Sequence, residues 1–277
     1  MLPSFSQSRH IVIADEEDKT TLPYATIKVL NKSKGYYADS NGVLSLPKNN
    51  ADTLFVEYSG YLSSIFIVDT KRDTLFLKRK SYALPEVVVR QLRHPSEIGL
   101  FKFSNKSVLC FTTSMEYATK IDLSGFIGYY KVQKIYLPAE LFYKKFNNVV
   151  CKLHLYKADK NGFPDEDILV EPIILKRNYF FDKDFYTDIS DQNIITAEKM
   201  LFIGVECFFE DSLQVENSKV NYNSSPIRLY MKEEKQTTAT EYNNSFYRIF
   251  DSKNYNWKGN GNSRFPGKFS AGLVILQ

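Results

Sequence analysis

The stretch from residue 22 to residue 61 constrains the fold more than any other part of this chain. Ala25, Ile27 and Val29 occupy alternate positions, which indicates a strand with one buried face. The sequence Asp-Ser-Asn-Gly at residues 39–42 then predicts a tight reversal, because Asx side chains stabilise a bend and glycine adopts a positive φ without strain. A further apolar run at residues 54–58 ends at another glycine. These features predict a small antiparallel β-sandwich that contains no catalytic group.

Three spaced patterns in this stretch carry a family resemblance. They are Pro23-x-Ala25-x-Ile27-x-Val29, Gly35-x-x-Ala38-Asp39-x-x-Gly42-x-Leu44 and Val56-x-Tyr58-x-Gly60-Tyr61. Together they resemble the carboxypeptidase-D regulatory-like module, a transthyretin-like β-sandwich found in Gram-negative cell-envelope proteins, including the N-terminal extension of TonB-dependent outer-membrane receptors. Residues 84–89, Leu-Pro-Glu-Val-Val-Val, are similar to the segment that follows the module in those receptors. The resemblance implies a non-catalytic domain, and no activity is transferred with it.

The rest of the chain predicts a second and larger β-sandwich. Alternation is clear around residues 152–157, where Leu153 and Leu155 share one face while Lys152, His154 and Tyr156 share the other. Helical periodicity is scarce, and its best candidate is a two-turn segment at residues 138–145. About nine strand-like segments follow one another, which is typical of a jelly roll.

The predicted fold class is therefore all-β, with two domains. A transthyretin/Ig-like antiparallel sandwich is expected at residues 8–90, and a larger jelly-roll-like sandwich at residues 96–277. Residues 90–97 contain a proline and lack apolar periodicity, so they are interpreted as the linker, with a boundary near residue 95.

The second region also has a looser resemblance to secreted bacterial jelly-roll domains. Its residues are Val132-x-Lys134-Ile135-x-Leu137, Leu153-x-Leu155-Tyr156, Asn161-Gly162-x-Pro164 and Phe202-x-Gly204-Val205. Many such domains bind carbohydrate or serve as adhesive surface modules, and others of this shape have no known ligand. No single residue can be assigned as a ligand contact on this basis.

Charge and hydropathy argue against nucleic-acid binding and against a transmembrane helix. The net charge is +4 and the charged residues are interspersed, so the clustered basic face of a nucleic-acid-binding protein is missing. No run of about 18 apolar residues occurs, so no transmembrane helix is predicted. Residues 1–7 resemble the end of a signal peptide but lack its charged and apolar regions. They are interpreted either as a truncated signal peptide or as a flexible terminus. We expect an exported protein, in the periplasm or associated with the outer membrane or cell surface.

The three cysteines, Cys110, Cys151 and Cys207, lie among apolar residues. Their odd number excludes a fully paired framework, and no two have the spacing of metal ligands. We predict buried free thiols. A single bridge between Cys151 and Cys207 is the alternative.

Two segments mimic metal sites. His94 and Glu97 match the His-x-x-Glu zinc pair of metallocarboxypeptidases, but no motif supplies a third ligand or a general base, so the match is interpreted as coincidence. Residues 159–167 concentrate oxygen ligands around a glycine, as calcium prefers. Phe163 and Pro164 break the EF-hand order, so a polar hairpin loop is predicted and a calcium-stabilised loop is the alternative. No metal and no cofactor are predicted.

Trp257, the one tryptophan, is the best candidate for a ligand contact, together with Tyr255 and Arg264. An aromatic ring stacks on the C–H face of a sugar while amide and guanidinium groups meet its hydroxyls. The alternative is a core-facing aromatic beside a glycine-rich hairpin. No catalytic residue is predicted, because no nucleophile elbow and no phosphate-binding loop occur.

These observations favour a non-enzymatic binding or scaffolding protein of the cell envelope, with a glycan or a partner protein as its ligand. One alternative is a hydrolase of glycans or peptides with two carboxylates in the C-terminal domain. Another is a structural envelope component that pairs through an exposed sheet edge. The oligomeric state is left open.

Overall fold

The computed structural model describes residues 8–30, 32, 34–47, 52–68, 73–81, 94–101, 104–111, 115–141, 149–175, 180, 185–210, 214–215, 227–231, 245–249, 256–259 and 269–276. Strands account for most of these residues, and no α-helix occurs among them. A 3-10 turn lies at Ser190–Gln192. The predicted all-β class is confirmed.

The N-terminal module, residues 8–81, contains seven strands. They are β1 (Ser8–Asp15), β2 (Thr26–Val29), β3 (Lys34–Tyr37), β4 (Val43–Pro47), β5 (Asp52–Glu57), β6 (Ser64–Val68) and β7 (Thr74–Leu77). One sheet has the order β4-β1-β7 and the other contains β3-β2-β5-β6. The pairing of β1 with β7 is parallel, and the other pairings in this module are antiparallel. Between the two sheets lies an apolar core that includes Ile13, Ile27, Leu44, Leu54 and Leu75.

The predicted reversal at residues 39–42 is present. Asp39 Oδ1 accepts hydrogen bonds from the backbone N–H groups of Asn41 and Val43, each at 2.8 Å. Gly42 has a φ of +75°, and a Cβ there would lie 2.9 Å from the side chain of Thr21. Both the Asx side chain and the glycine are therefore required by the local geometry.

The C-terminal module, residues 94–276, contains sixteen described strands. They are β8 (Pro95–Gly99), β9 (Ser104–Phe111), β10 (Met115–Asp122), β11 (Tyr130–Tyr136), β12 (Ala139–Leu141), β13 (Val149–Ala158), β14 (Pro164–Asp167), β15 (Ile173–Leu175), β16 (Tyr186–Asp188), β17 (Ile195–Thr196), β18 (Met200–Phe209), β19 (Gln214–Val215), β20 (Ile227–Met231), β21 (Ser245–Ile249), β22 (Lys258–Gly259) and β23 (Gly272–Leu276).

A large sheet with the order β14-β13-β18-β10-β21-β22 forms the middle layer of the molecule. One of its faces packs on the sheet β16-β11-β23-β8 and on the sheet β12-β20-β9, around a core that includes Leu153, Val205, Ile135 and Leu273. The N-terminal module covers the part of its opposite face around Val150, Glu206 and Phe208. Over another part, Phe202 and Phe246 pack with Trp257 of the C-terminal module itself. Strand β18 is consequently buried along almost its whole length, as is most of β13.

The two modules are joined by aromatic packing and by strand pairing. The rings of Tyr37 and Phe208 stack with their centroids 3.8 Å apart, and Tyr24 and Val150 complete the same buried cluster. Strand β19, although it follows β18 in sequence, pairs with β3 at the edge of the N-terminal sheet. The modules therefore share backbone hydrogen bonds as well as side-chain contacts.

Three sequence-based expectations are corrected. Pro95, Ser96 and Glu97, assigned to the linker, belong to β8, which pairs with β23 through its backbone. Ala139–Leu141, within the proposed helical segment, is the strand β12 and pairs with β20. The domain boundaries at 8–90 and 96–277 stay a prediction, since residues 82–93 are outside the described part, as is the segment 1–7.

The third correction concerns the cysteines. Cys151 and Cys207 form a disulfide, so the prediction of free thiols is wrong for both of them. They are directly opposed in register on β13 and β18, with their Cα atoms 4.3 Å apart. Such close approach is typical of a non-hydrogen-bonded pair of antiparallel strands.

The described residues contain no helix long and apolar enough to cross a membrane.

Candidate functional site

A cavity of about 460 Å³ lies between the two modules. Strands β2 and β5 and the segments after β5 and β7 form its N-terminal wall, while β13, β14, β18 and β21 form the opposite wall. The lining residues are Thr26, Phe55, Glu57, Tyr58, Ser59, Tyr61, Leu62, Ser63, Lys80, Lys152, His154, Tyr156, Asp165, Glu166, Asp167, Glu206 and Arg248. Its volume falls within the range of small-molecule binding sites.

The alternation seen in the sequence of β13 places three polar side chains in this wall. Leu153 and Leu155 face the apolar core, so Lys152, His154 and Tyr156 face the cavity. In an ordinary surface strand this polar face would contact water. Here it is covered by the N-terminal module, and all three residues are less than a tenth exposed.

A row of four charged residues crosses the floor of the site. Lys152 is opposed in register to Glu206, Glu206 to Glu116, and Glu116 to Arg248, on four neighbouring strands. Lys152 Nζ lies 3.1 Å from Glu206 Oε2, and Arg248 Nε donates to Glu116 Oε2 at 2.6 Å. Two acidic residues therefore lie at the centre of the row, with a cation at each end.

Glu206 is saturated by partners from both modules. Its oxygens accept hydrogen bonds from the hydroxyl of Tyr37 at 2.8 Å and from that of Thr26 at 3.3 Å. Burial alone would raise the pKa of Glu206, but the charges of Lys152 and His154 and the bond from Tyr37 hold it well below its ordinary range. This carboxylate is ionised and links the modules.

His154 lies between two carboxylates. Its Nδ1 is 2.8 Å from Asp167 Oδ2, and its Nε2 is 3.5 Å from Glu206 Oε2, which is within ion-pair distance although the alignment is not that of a hydrogen bond. Burial would lower the pKa of His154, but Glu116, Asp167 and Glu206 together raise it to about 9. The imidazole is therefore a cation at neutral pH.

Asp167 is also fully engaged. Ser59 Oγ donates to its Oδ2 at 2.7 Å, and the backbone N–H groups of Leu155 and Leu169 donate to its Oδ1. Burial would raise the pKa of Asp167, but the hydrogen bond and charge of His154 outweigh burial and lower it. Lys80 Nζ donates to the backbone oxygen of Asp167 at 2.8 Å, which adds a second link between the modules.

Glu57 differs from the other inner carboxylates. The residue as a whole is half-buried, but its Oε2 atom is buried and has no hydrogen-bond partner. Burial raises the pKa of Glu57; Arg248 opposes the shift, while the neighbouring carboxylates Glu116 and Glu206 add to it. In the described part of the chain four buried side-chain atoms lack a hydrogen-bond partner, and two of them, Glu57 Oε2 and His154 Nε2, belong to residues that line this cavity.

Gly204 makes room for the site. It is opposed to His154 on β13, and a Cβ there would lie 2.6 Å from the ring of Tyr156, 3.0 Å from Glu116 Oε1 and 3.1 Å from His154 Cβ. Tyr156 uses this space to donate its hydroxyl to Glu116 Oε1 at 2.6 Å. The glycine is needed here for close approach and has no special backbone angle.

Trp257, the sequence-predicted ligand contact, lies next to the cavity and does not line it. The half-buried indole has the guanidinium carbon of Arg248 4.8 Å from its ring centre, and it meets the ring of Tyr156 edge-on at 5.6 Å. Trp257 therefore holds two residues that do line the cavity. Tyr255 and Arg264, predicted with it, lie outside the described residues, so their roles stay predictions.

The two metal-like segments have other partners. His94 and Glu97 are both exposed, and Glu97 accepts a hydrogen bond from the hydroxyl of Tyr186. In the predicted hairpin, which is present between β13 and β14, Asp159 Oδ1 accepts from the backbone N–H groups of Asn161 and Phe163. Among the described residues no group of three or more potential metal ligands is found.

Comparison with known proteins identifies the N-terminal module. Residues 12–89 match the family model described as CarboxypepD_reg-like domain. The N-terminal module is a carboxypeptidase-D regulatory-like domain. The resemblance drawn from the sequence is thus confirmed, and this non-catalytic fold supplies one wall of the cavity. No curated protein matches the chain.

One solved structure is similar over nearly the whole length of both chains. It is a protein of Bacteroides uniformis described as a "putative carbohydrate binding protein", 11% identical, with 98% of this chain and 99% of that chain covered and a TM-score of 0.24. So low a TM-score does not establish a shared fold, and no ligand is inferred from it.

Proposed function

We propose that this chain is a non-enzymatic binding protein and that its ligand is a glycan held in the cavity between the two modules. The observation that carries the proposal is a pair of buried atoms without a hydrogen-bond partner, Glu57 Oε2 and His154 Nε2, in residues that line a cavity large enough for a ligand. A buried polar atom without a partner is costly, and a ligand that hydrogen-bonds to it recovers that cost.

The chemistry of the lining suits a sugar. A hydroxyl group can donate to Glu57 and also accept from a cation such as Lys80 or Arg248. Two lining residues, Tyr58 and Tyr156, present rings on which the C–H face of a sugar packs. A ligand with a single charge would interact favourably either with the carboxylate or with the cations, and not with both. A polyol has hydroxyl groups that can donate to the carboxylate and accept from the cations.

The state of the carboxylates favours binding over hydrolysis. Glycoside hydrolysis needs two carboxyl groups that face the substrate. Five carboxylates line the cavity. The buried Glu206 already accepts hydrogen bonds from Tyr37 and Thr26, and Asp167 from Ser59 and from the backbone N–H of Leu169. Asp165 and Glu166 are exposed at the rim, where Glu166 lies 3.8 Å from Lys80. Glu57, which is half-buried, has one buried oxygen without a hydrogen-bond partner, and this oxygen is left for a ligand. A hydrolase of glycans or peptides stays the alternative.

The cellular setting belongs to the same proposal. A carboxypeptidase-D regulatory-like domain and a disulfide both fit an exported protein, because disulfides persist in oxidising compartments. We place the protein in the periplasm or at the outer membrane or cell surface, where polysaccharides are available as ligands. A scaffolding role towards an envelope protein is the other partner that this setting allows.

The experiment is a glycan array followed by isothermal titration calorimetry with each hit. We expect Glu57→Gln to weaken binding by about tenfold or more, because the sugar hydroxyl then donates to a neutral amide oxygen in place of a carboxylate oxygen. The matched control is Glu17→Gln, an exposed carboxylate on the loop after β1 that lines neither this cavity nor its neighbour. An unchanged affinity in Glu57→Gln would contradict the site, and release of shorter sugars from the bound glycan would replace the proposal by the hydrolase.

A further inference from the structure

A second cavity of about 340 Å³ adjoins the first one. The turn before β2 contributes Thr20, Thr21 and Leu22, and the segment after β7 contributes Arg79. Val170, Glu171 and Pro172 of the C-terminal module close the other side. Like the first cavity, it lies between the modules.

The two cavities have common walls. Tyr58, Tyr61 and Lys80 line both of them, so the two cavities meet at these residues. Tyr61 is nearly buried and its ring meets that of Tyr58 edge-on at 5.4 Å, while its hydroxyl donates to Asp15 at 2.7 Å. Lys80 is fixed by its hydrogen bond to the backbone of Asp167. The junction is therefore built from fixed groups, and Tyr58 is the ring that a ligand passing between the cavities would meet.

The second cavity has the mixed lining that a sugar ring needs. Leu22, Val170 and Pro172 offer apolar surface, whereas Thr20, Thr21 and Glu171 bring hydroxyl and carboxylate groups. Its two cations are already paired with carboxylates: Arg79 Nη2 lies 2.7 Å from Asp18 Oδ2 and Arg79 Nε bonds to Asp15, while Lys80 Nζ lies 3.8 Å from Glu166 Oε1. No net positive charge is left for an acidic sugar, so a neutral ring fits better than a uronic acid.

From this adjacency and shared lining, and resting on the glycan function proposed above, we infer that the cleft has two subsites and takes a neutral oligosaccharide, with one sugar in each cavity and Tyr58 between them. A single sugar occupies the first cavity alone. Affinity should therefore rise when the second sugar is added and should stop rising once both cavities are occupied, because further residues extend into solvent.

Calorimetry with malto-, cello- and manno-oligosaccharides of one to four residues tests the inference on the full chain. We expect the affinity for the best series to rise by about tenfold or more from one residue to two or three, and then to level off. Thr20→Trp, an exposed position in the wall of the second cavity, should reduce the affinity for the trisaccharide to that for the monosaccharide without changing the monosaccharide itself. Glu17→Trp, exposed on the same loop but lining neither cavity, is the matched control.

Val170→Trp fills the second cavity from its opposite wall. With two variants, a folding defect in one of them does not decide the outcome. Monosaccharide affinity equal to that of every longer sugar, or a trisaccharide affinity unchanged in both tryptophan variants, would overturn the two-subsite inference and leave the glycan function standing. Absence of binding at every length would overturn both.

Discussion

Glu116 on β10 and Glu206 on β18 are directly opposed in register, and both side chains are buried. Like charges in opposed positions on neighbouring strands destabilise a sheet. The pair persists because Arg248 flanks one member and Lys152 the other. The stability of the middle layer therefore depends on the two outer cations more than on either carboxylate.

Replacing Lys152 by methionine should reveal this dependence. The side chain is 3% exposed, and its loss leaves Glu206 short of its cation, so we expect the free energy of unfolding to fall by about 3–5 kcal/mol. Equilibrium denaturation with urea measures it.

Lys157→Met on the same strand is the control for Lys152→Met. Lys157 is 36% exposed and its partner Glu166 is at 3.7 Å, so we expect a loss of at most about 1 kcal/mol. Equal losses in the two variants would show that the buried row has no special role.

The pH dependence of stability should report on His154. Its pKa is raised from 6.5 to about 9 in the folded protein, so its contribution is complete below about pH 6.5 and is lost as the pH rises through about 9. A shift of this size corresponds to about 3 kcal/mol. Unfolding curves across this range should show the decline in the wild-type protein and a flatter profile in His154→Gln.

His10→Gln is the control for the pH experiment. His10 is exposed, and its Nδ1 lies 3.1 Å from Ser45 Oγ, far in sequence from the charged row. We expect this variant to keep the wild-type slope. If His154→Gln keeps it too, the decline belongs to other groups and the role assigned to His154 is wrong.

Gly60 should be the least tolerant glycine at the contact between the modules. A Cβ there would lie 1.9 Å from the backbone oxygen of Val170, whereas Gly128, with the same φ of +84°, has nothing within 4 Å. Both alanine variants incur the strain of a left-handed residue, roughly 1–2 kcal/mol. Gly60→Ala should cost a further 1–3 kcal/mol or so for the clash, as measured by equilibrium unfolding. Equal costs would mean that the modules separate freely at this point.

Reduction of the disulfide should lower stability by about 2–4 kcal/mol, since Cys151 and Cys207 are 56 residues apart in sequence. Thermal unfolding with and without dithiothreitol measures the loss, and the Cys151→Ala/Cys207→Ala double variant should not respond to the reductant. Two of the three cysteines are paired, so the denatured unreduced chain should titrate one thiol. Three thiols would contradict the disulfide.

Trp257 allows the site to be followed by fluorescence. It is the one tryptophan of the chain, and it packs on Arg248 and Tyr156. A glycan in the cavity should change its emission, and Trp257→Phe should abolish the signal while calorimetry still detects binding. Trp257→Ala should weaken binding, because Arg248 loses the ring on which it rests. Full affinity in Trp257→Ala would remove the indole from the site.

Local patterns in the sequence were enough for many of the strands and for the regulatory-like module, but not for β8, which was assigned to the linker, or β12, which was assigned to a helical segment. The alternation of Leu153 and Leu155 with polar neighbours gave β13 and its polar face, and residues 39–42 gave the reversal. The sequence did not predict that the N-terminal module covers this polar face, because the packing of the two modules is not encoded in the local pattern of β13. Glu57 gave no signal either, since a carboxylate on an alternating strand usually contacts water.

The pairing register of strands that are distant in sequence could not be predicted either. Cys151 and Cys207 pair because β13 and β18 are aligned so that the two residues are opposed, and nothing local to either cysteine encodes that alignment. The same alignment brings Lys152 to Glu206. One signal in the sequence could have been used. Cys151 directly precedes Lys152, and Cys207 directly follows Glu206, so an antiparallel pairing that opposes the cysteines also opposes the two charges.

Strand β19 closes the edge of a sheet that belongs to the regulatory-like domain, although it is encoded more than a hundred residues later. A protein truncated after that domain would expose the backbone hydrogen-bonding groups of β3 at an unpaired sheet edge. Such edges pair with strands of other molecules. The two halves are therefore best regarded as parts of one folding unit, in which the second half protects the first from self-association.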